Sequence, residues 1–244
     1  METNKKSNIT GTFKYLDIII VIFVLVLVLS NIASSAKIID WGFSLGPIHL
    51  SFDAGTILFP ISYIIGDVIT EVYGYKRSRR IIWIGFGALI FSALVFWAVQ
   101  VLPGEATWEA QVGQDAYNLI LGSMSTGGII IASLAGYFAG SFSNAIMMAF
   151  MKVLTKGRML WARTIGSTII GQAFDTFSFI LVASALNVFP WSLFWSLTIT
   201  NYLFKVGMEA LVTPLTYWVI NKLKRAEGVD IFDEATDLTP FKFK

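Results

Sequence analysis

Cysteine is absent from the 244 residues, and His49 is the sole histidine. The first absence excludes thiol chemistry, disulfides and cysteine metal cages, and the second leaves no histidine pair for a metal site. Charge is scarce as well, since Asp, Glu, Lys and Arg make up 14% of the chain against about 25% in a soluble domain. The formal net charge of +2 is too small for a surface that holds nucleic acid. No Gly-rich loop ending in Lys and Ser or Thr occurs, so this chain carries no ATPase motif. What fills the chain instead is apolar: 55% of residues are hydrophobic, with 20 Phe, 8 Trp and 8 Tyr, and the mean hydropathy is +0.69. This is the composition of a membrane protein.

A helix needs about 20 apolar residues to cross a hydrocarbon core of roughly 30 Å. Six runs qualify, at Leu16 to Ala36, Leu50 to Tyr73, Ile81 to Leu102, Thr126 to Val153, Thr164 to Leu186 and Leu193 to Leu223. The basic residues of the connections alternate between the two ends. The N-terminal segment, the second and fourth connections and the tail hold all of the 18 Lys and Arg except Lys37 and Lys205. Cytoplasmic loops concentrate Lys and Arg, so both termini are expected in the cytoplasm. The fold expected is an all-α membrane protein, with one six-helix transmembrane domain over residues 1–225 and a polar, poorly ordered cytoplasmic tail over 226–244. Lys5, Lys6 and Lys14 followed by an apolar run ending in Ala33-Ser34-Ser35-Ala36 resemble a cleavable signal. That run is long for a signal, and removing it would leave an odd number of spans, so the first helix is kept. The stretch Trp108 to Tyr117 reads as a solvated connector or a lid lying on the outer surface.

Gly128, Ala132, Gly136 and Gly140 recur every four residues and strip one side of the fourth helix of bulk, as close helix packing in lipid requires. The same step reaches Asn144. In the fifth helix Gly171 precedes Asp175 by the same interval, an arrangement compatible with an inverted repeat or with chance. Pro60 and Pro214 read as interruptions of the second and sixth helices.

Ionisable groups are the next signal. Asp67 and Glu71 share a face of the second helix, Asp175 falls near the middle of the fifth with Gln172 and Phe179 beside it, and Lys205 and Glu209 stand four apart in the sixth after Asn201 and Tyr202. Each such charge costs about 2.5 to 3.5 kcal/mol at the bilayer centre, so these side chains must point inward. Lys205 can pair with Glu209 or Asp67 as interhelical glue. Four acids against one Lys, with Arg163 at the edge, point instead to a cationic or hydrogen-donating ligand, to proton uptake, or to both. Phe179 and Tyr202 offer a stacking surface. His49 and Asp53, at the outer end of the second span, read as interfacial.

The run Pro60-Ile61-Ser62-Tyr63-Ile64-Ile65-Gly66-Asp67-Val68-Ile69-Thr70-Glu71-Val72-Tyr73-Gly74, followed by basic residues, resembles the signature of the queuosine precursor transporter family, the vitamin uptake transporter-like integral membrane proteins. A second similar stretch is Arg163-Thr164-Ile165-Gly166-Ser167 followed by Gln172 and Asp175-Thr176-Phe177-Ser178-Phe179. Asn144 departs from the family pattern, which often has an acid there. The resemblance implies a six-helix protein of the bacterial inner membrane that imports 7-deazaguanine bases, such as 7-cyano-7-deazaguanine and 7-aminomethyl-7-deazaguanine, for queuosine in tRNA. It also implies likeness to the substrate-binding subunits of energy-coupling vitamin transporters. By matched position it assigns Asp67, Glu71, Arg163, Gln172 and Asp175 to substrate binding; Asn144, Asn201, Lys205 and Glu209 join them on depth and spacing. No catalytic residue, metal or cofactor is expected. The partners expected are the bilayer and the small-molecule base, with no nucleic acid, and homodimerisation stays open. The rival readings are an intramembrane aspartyl protease using Asp67 and Asp175, which lacks the Gly-x-Gly-Asp arrangement, and a membrane scaffold.

Overall fold

A computed structural model of the chain describes residues 13–45, 48–125, 127–234 and 236–242. Lys5, Lys6, Thr126 and Lys244 lie outside the described residues, as do the side chains of Trp41, His49, Asp53 and Pro60. Helix α1, Leu16–Ala36, leads into strands β1, Ile38–Leu45, and β2, Ile48–Asp53, then a 3-10 turn, Ala54–Leu58. Helices α2, Phe59–Tyr73, α3, Tyr75–Val101, α4, Ala106–Gln111, and α5, Gly113–Leu121, follow. The chain ends in α6, Gly128–Leu154, α7, Leu160–Ala185, and α8, Phe194–Glu227. Among the described residues α1, α3, α6, α7 and residues Leu197–Glu227 of α8 are long and apolar enough to cross a membrane, five spans in all.

The second expected span is corrected. Its first third is the end of a β-hairpin and a 3-10 turn, and only Phe59–Tyr73 is α-helical. Strand β1 pairs antiparallel with β2, from Ile38 opposite Asp53 to Leu45 opposite Ile48, with an irregularity between Asp40 and Ser44. The all-α expectation therefore fails at this hairpin. Ile48-His49-Leu50-Ser51-Phe52-Asp53 alternates apolar and polar residues at period two, which is a strand pattern, whereas hydropathy averaging sees only an apolar run. The Ala54 N–H donates to the Lys37 carbonyl at 2.9 Å, closing the hairpin base, and Ser30 Oγ donates to the Gly55 carbonyl at 3.1 Å. Pro60 does not interrupt a helix but sits in the first turn of α2, where its missing N–H costs nothing.

Every residue from Asp67 to Tyr75 is buried. A helix buried on one face only would expose its other face in every turn, so the second half of α2 is enclosed on all sides, by α1, α3, α6 and α8. Val68, Val72 and Tyr73 pack with Met148, Leu160 and Ile220 on one side, and Ile69 packs with Phe23, Leu27, Ile81 and Leu89 on the other. Gly74, with φ of 81°, makes the break to α3, and a β-carbon there would also come within 2.8 Å of Ile231 Cγ2.

The small-residue stripe of α6 packs against α7 as its spacing predicts. A β-carbon at Gly140 would stand 2.5 Å from Asp175 Cβ, and one at Gly171 would stand 2.7 Å from Asn144 Cβ. The two Gly-x-x-x-Asn/Asp steps thus interlock reciprocally across the antiparallel crossing, each glycine seating the polar residue of the other helix.

The tail is docked, against the expectation of a poorly ordered extension. Arg79 donates to the carbonyls of Asp237 at 3.0 Å and Thr239 at 2.8 Å, and Trp83 Nε1 donates to the Pro240 carbonyl at 2.9 Å. The Tyr75 N–H donates to Asp233 Oδ2 at 2.9 Å, and the Phe241 ring lies 6.0 Å from those of Trp83 and Phe138. At the same end Glu227 accepts the backbone N–H groups of Lys14 and Tyr15 at 2.9 and 2.8 Å, so the first and last helices meet there. This is the basic end of the bundle.

Candidate functional site: carboxylates at two depths

Asp67 and Glu71 lie one turn apart on α2 and have opposite surroundings. Glu71, fully buried, accepts a two-point bond from Arg163, with Nη2 to Oε1 at 2.7 Å and Nε to Oε2 at 3.2 Å. Lys224 adds a contact at 2.6 Å, and Lys152 stands 3.6 Å away while donating to the Glu71 carbonyl at 2.6 Å. Asp230 of the tail bridges Lys152 at 2.5 Å and Lys224 at 2.9 Å. Arg163 also donates to Thr155 Oγ1 at 3.1 Å and to the Arg158 carbonyl. This cluster joins α2, α6, α7, α8 and the tail at the basic end.

One turn deeper, Asp67 is 1% exposed. Its Oδ1 accepts Asn144 Nδ2 at 3.1 Å, and its Oδ2 has no hydrogen-bond partner among the described residues. Glu209, from α8, is also 1% exposed, and neither of its oxygens has a partner among them. The two carboxylates lie within Coulombic reach of one another across the α2 and α8 contact. Asn144 Oδ1 and Gln172 Oε1 are likewise buried and unpartnered among the described residues. The middle of the bundle therefore collects carboxylate and amide oxygens that have no hydrogen-bond partner among the described residues.

Asp175 is not in this group. It forms an ion pair with Lys205, and both side chains are partly accessible, at 22% and 15%. The alternative in which Lys205 pairs with Glu209 or Asp67 as interhelical glue gives way to this bridge between α7 and α8. Beside it Tyr202 lines an apolar groove of about 400 Å³ with Phe174, Phe177 and Ile199, whose exposed rings and side chain face away from the bundle. Phe179 packs edge-on against Phe189 with 6.2 Å between ring centroids. Asn201 is corrected in depth: it is exposed and donates back to the Leu197 carbonyl at 2.9 Å. The excess of four acids over one base shrinks accordingly, because Glu71 and Asp175 are neutralised and Asp67 and Glu209 are not.

Sequence reasoning missed Lys152, Lys224 and Asp230, which read only as markers of orientation and as tail. A signal existed for the first of them. The four-residue step of α6 runs on from Asn144 through Met148 to Lys152, placing that lysine on the packed stripe, where it is 1% exposed.

A family described as "Putative vitamin uptake transporter" matches residues 53–219, about two thirds of the chain. The chain belongs to that family. Its curated relatives include the "Probable queuosine precursor transporter" of Bacillus subtilis (strain 168), 27% identical over 69% of this chain and 71% of the relative. The "Probable queuosine precursor transporter" of Haemophilus influenzae is 25% identical over 68% and 67%. The "Queuosine precursor transporter" of Escherichia coli K12 is 22% identical over 78% and 80%. No solved structure matches. This member of the vitamin uptake transporter family is a multi-pass integral membrane transporter and not an enzyme. Of the two aspartates in the protease reading, Asp67 accepts from Asn144 and Asp175 is held by Lys205.

Proposed function

We propose that the chain imports a 7-deazaguanine base, such as 7-cyano-7-deazaguanine or 7-aminomethyl-7-deazaguanine, across a bacterial inner membrane. The observation that carries this reading is the set of bare acceptors at mid-depth: Asp67 Oδ2, Asn144 Oδ1 and Gln172 Oε1. A guanine-like edge presents adjacent N–H donors, which are what these oxygens lack, and each buried acceptor left unmade costs about 1–3 kcal/mol. The base lies between α2, α6 and α7, with Phe179 and the Asp175 and Lys205 pair at its flank. The names of the relatives point to the same substrate class.

The crossing count is six in this reading. Helix α2 rises about 22 Å over 15 residues and the preceding 3-10 turn about 10 Å over five, which together match a hydrocarbon core of about 30 Å. Both termini lie in the cytoplasm, supported by the basic residues and by the Glu227 bonds that join the start of α1 to the end of α8. Resemblance to the substrate-binding subunits of energy-coupling transporters extends to architecture, while transport itself is secondary, by rocking of helix groups about the mid-depth site.

The test is uptake of labelled 7-cyano-7-deazaguanine by cells that depend on supplied precursor and lack a transporter of their own. The wild-type gene restores uptake and tRNA modification. Asp67→Asn abolishes both at unchanged membrane abundance, and normal uptake by that variant removes Asp67 from the site.

A further inference from the structure

The base leaves Glu209 unused. Its carboxylate is 1% exposed with both oxygens bare among the described residues, on a helix packed against α2, which carries Asp67 with its own bare Oδ2. Every nearby cation is engaged elsewhere. On α8, Lys205 is bound to Asp175 and Lys224 to Glu71 and Asp230. On α7 and α6, Arg163 and Lys152 are held by Glu71, the second also by Asp230. The charges that α2 itself brings, Asp67 and Glu71, are both acidic. The span of α1 carries only Asp17, in its first turn. The cations of α3 lie in its first two turns, where Lys76 and Arg80 are exposed, Arg77 stacks on Phe13, and Arg79 holds the tail.

The pair thus brings two carboxylates to a depth where each negative charge is costly, and neither has an ion pair among the described residues. Neutral donors do not fill the gap either. Asn144 spends its amide N–H on Asp67, and Gln172, 9% exposed, adds another bare acceptor from α7. An uncharged base hydrogen-bonds to such oxygens but brings no charge.

We propose that Asp67 and Glu209 form the cation-coupling site of this transporter and that the site takes up one proton with each base. The inference rests on the base-import reading above. A proton from the outer water adds to a Glu209 oxygen, forming an O–H and leaving Asp67 Oδ2 to the base. The pair falls from two negative charges to one, as adjacent buried carboxylates require. On release at the basic end the O–H breaks, the proton passes to water and the Glu209 carboxylate is restored. One positive charge moves inward per base. A sodium ion at the same oxygens is the competing cation.

The experiment uses the purified full chain in liposomes with labelled 7-cyano-7-deazaguanine, an uncharged probe. At one proton per base, an inside-alkaline gradient of one pH unit drives about tenfold accumulation by the wild type. Glu209→Gln accumulates no base above its level at equal pH, and Glu209→Asp regains accumulation. Accumulation by Glu209→Gln like that of the wild type overturns the site. Wild-type accumulation driven by a sodium gradient and indifferent to pH overturns the proton. If Glu209→Gln loses exchange as well, an internal pH dye on the wild type decides: acidification on adding base supports coupling, and its absence overturns it. Wild type that exchanges no deazaguanine at all refutes the substrate reading instead, a failure separate from failure of the coupling.

Discussion

Asp67 and Glu71 stand one helical turn apart and are both sealed from water, yet one is starved of partners and the other surrounded by three cations. Position on a face does not distinguish them, since they share it. Their neighbours do. The Glu71 turn meets the basic ends of α6, α7 and α8, where Lys and Arg reach inward from the interface, and the Asp67 turn meets mid-helix residues, where a bilayer admits few charges. Surplus and deficit of partners on one helix separate the part of the bundle that holds it together from the part proposed to take the ligand.

The largest effect that could break this comparison comes from Glu71→Ala. It leaves Arg163 buried without its carboxylate, a loss of about 3–5 kcal/mol. The expected result is little monodisperse protein in detergent and a low melting temperature, and near-normal melting would remove Glu71 from the scaffold. Asp67→Asn sharpens the contrast, because its carboxylate gives up no ion pair. Its melting temperature should correspond to a stability within about 0.5 kcal/mol of wild type while uptake is lost. A parallel loss of stability at both positions would erase the distinction.

A middle-sized effect belongs to the helix crossing. Gly140→Ala pushes a methyl into Asp175 and should cost about 1–3 kcal/mol. Gly87→Ala on α3, where an added β-carbon meets nothing within 4 Å, should leave melting unchanged and serves as the control.

The smallest effect is at the tail. Burial pushes the Asp230 carboxyl up, but bonds and attraction from Lys152 and Lys224 outweigh that and hold it below the ordinary value of 3.8. A depressed folded value stabilises docking in full above that ordinary value and ceases to as pH falls through the lower one. Tail docking should therefore be constant from pH 8 to about 5 and weaken only below about 3.8. Limited proteolysis after Gly228 reads it, and Asp230→Asn should raise cleavage several-fold at neutral pH.

Most of this was legible in the residues. The bounds of α1 follow from an uninterrupted apolar run, and the α6 and α7 contact follows from glycines at a four-residue step, because both depend on periodicity along one segment. The hairpin was hidden because hydropathy records how apolar a segment is and not how its backbone is bonded. Its period-two alternation carried the missing information. The fate of each carboxylate was illegible, since it depends on which side chains from other helices arrive at the same height. Lys205 chose Asp175 across the α7 and α8 contact over Glu209 on its own helix, and nothing in spacing alone selects between them.

The docked tail bears on how the protein is assembled. Asp230, Asp233 and the carbonyls near Pro240 that bind Lys152, Tyr75, Arg79 and Trp83 are translated after all of the crossing helices. Until they emerge from the ribosome, Lys152 and Lys224 have Glu71 alone to share, in competition with Arg163. The seal over the basic end can therefore form only after the last of the long helices has been synthesised.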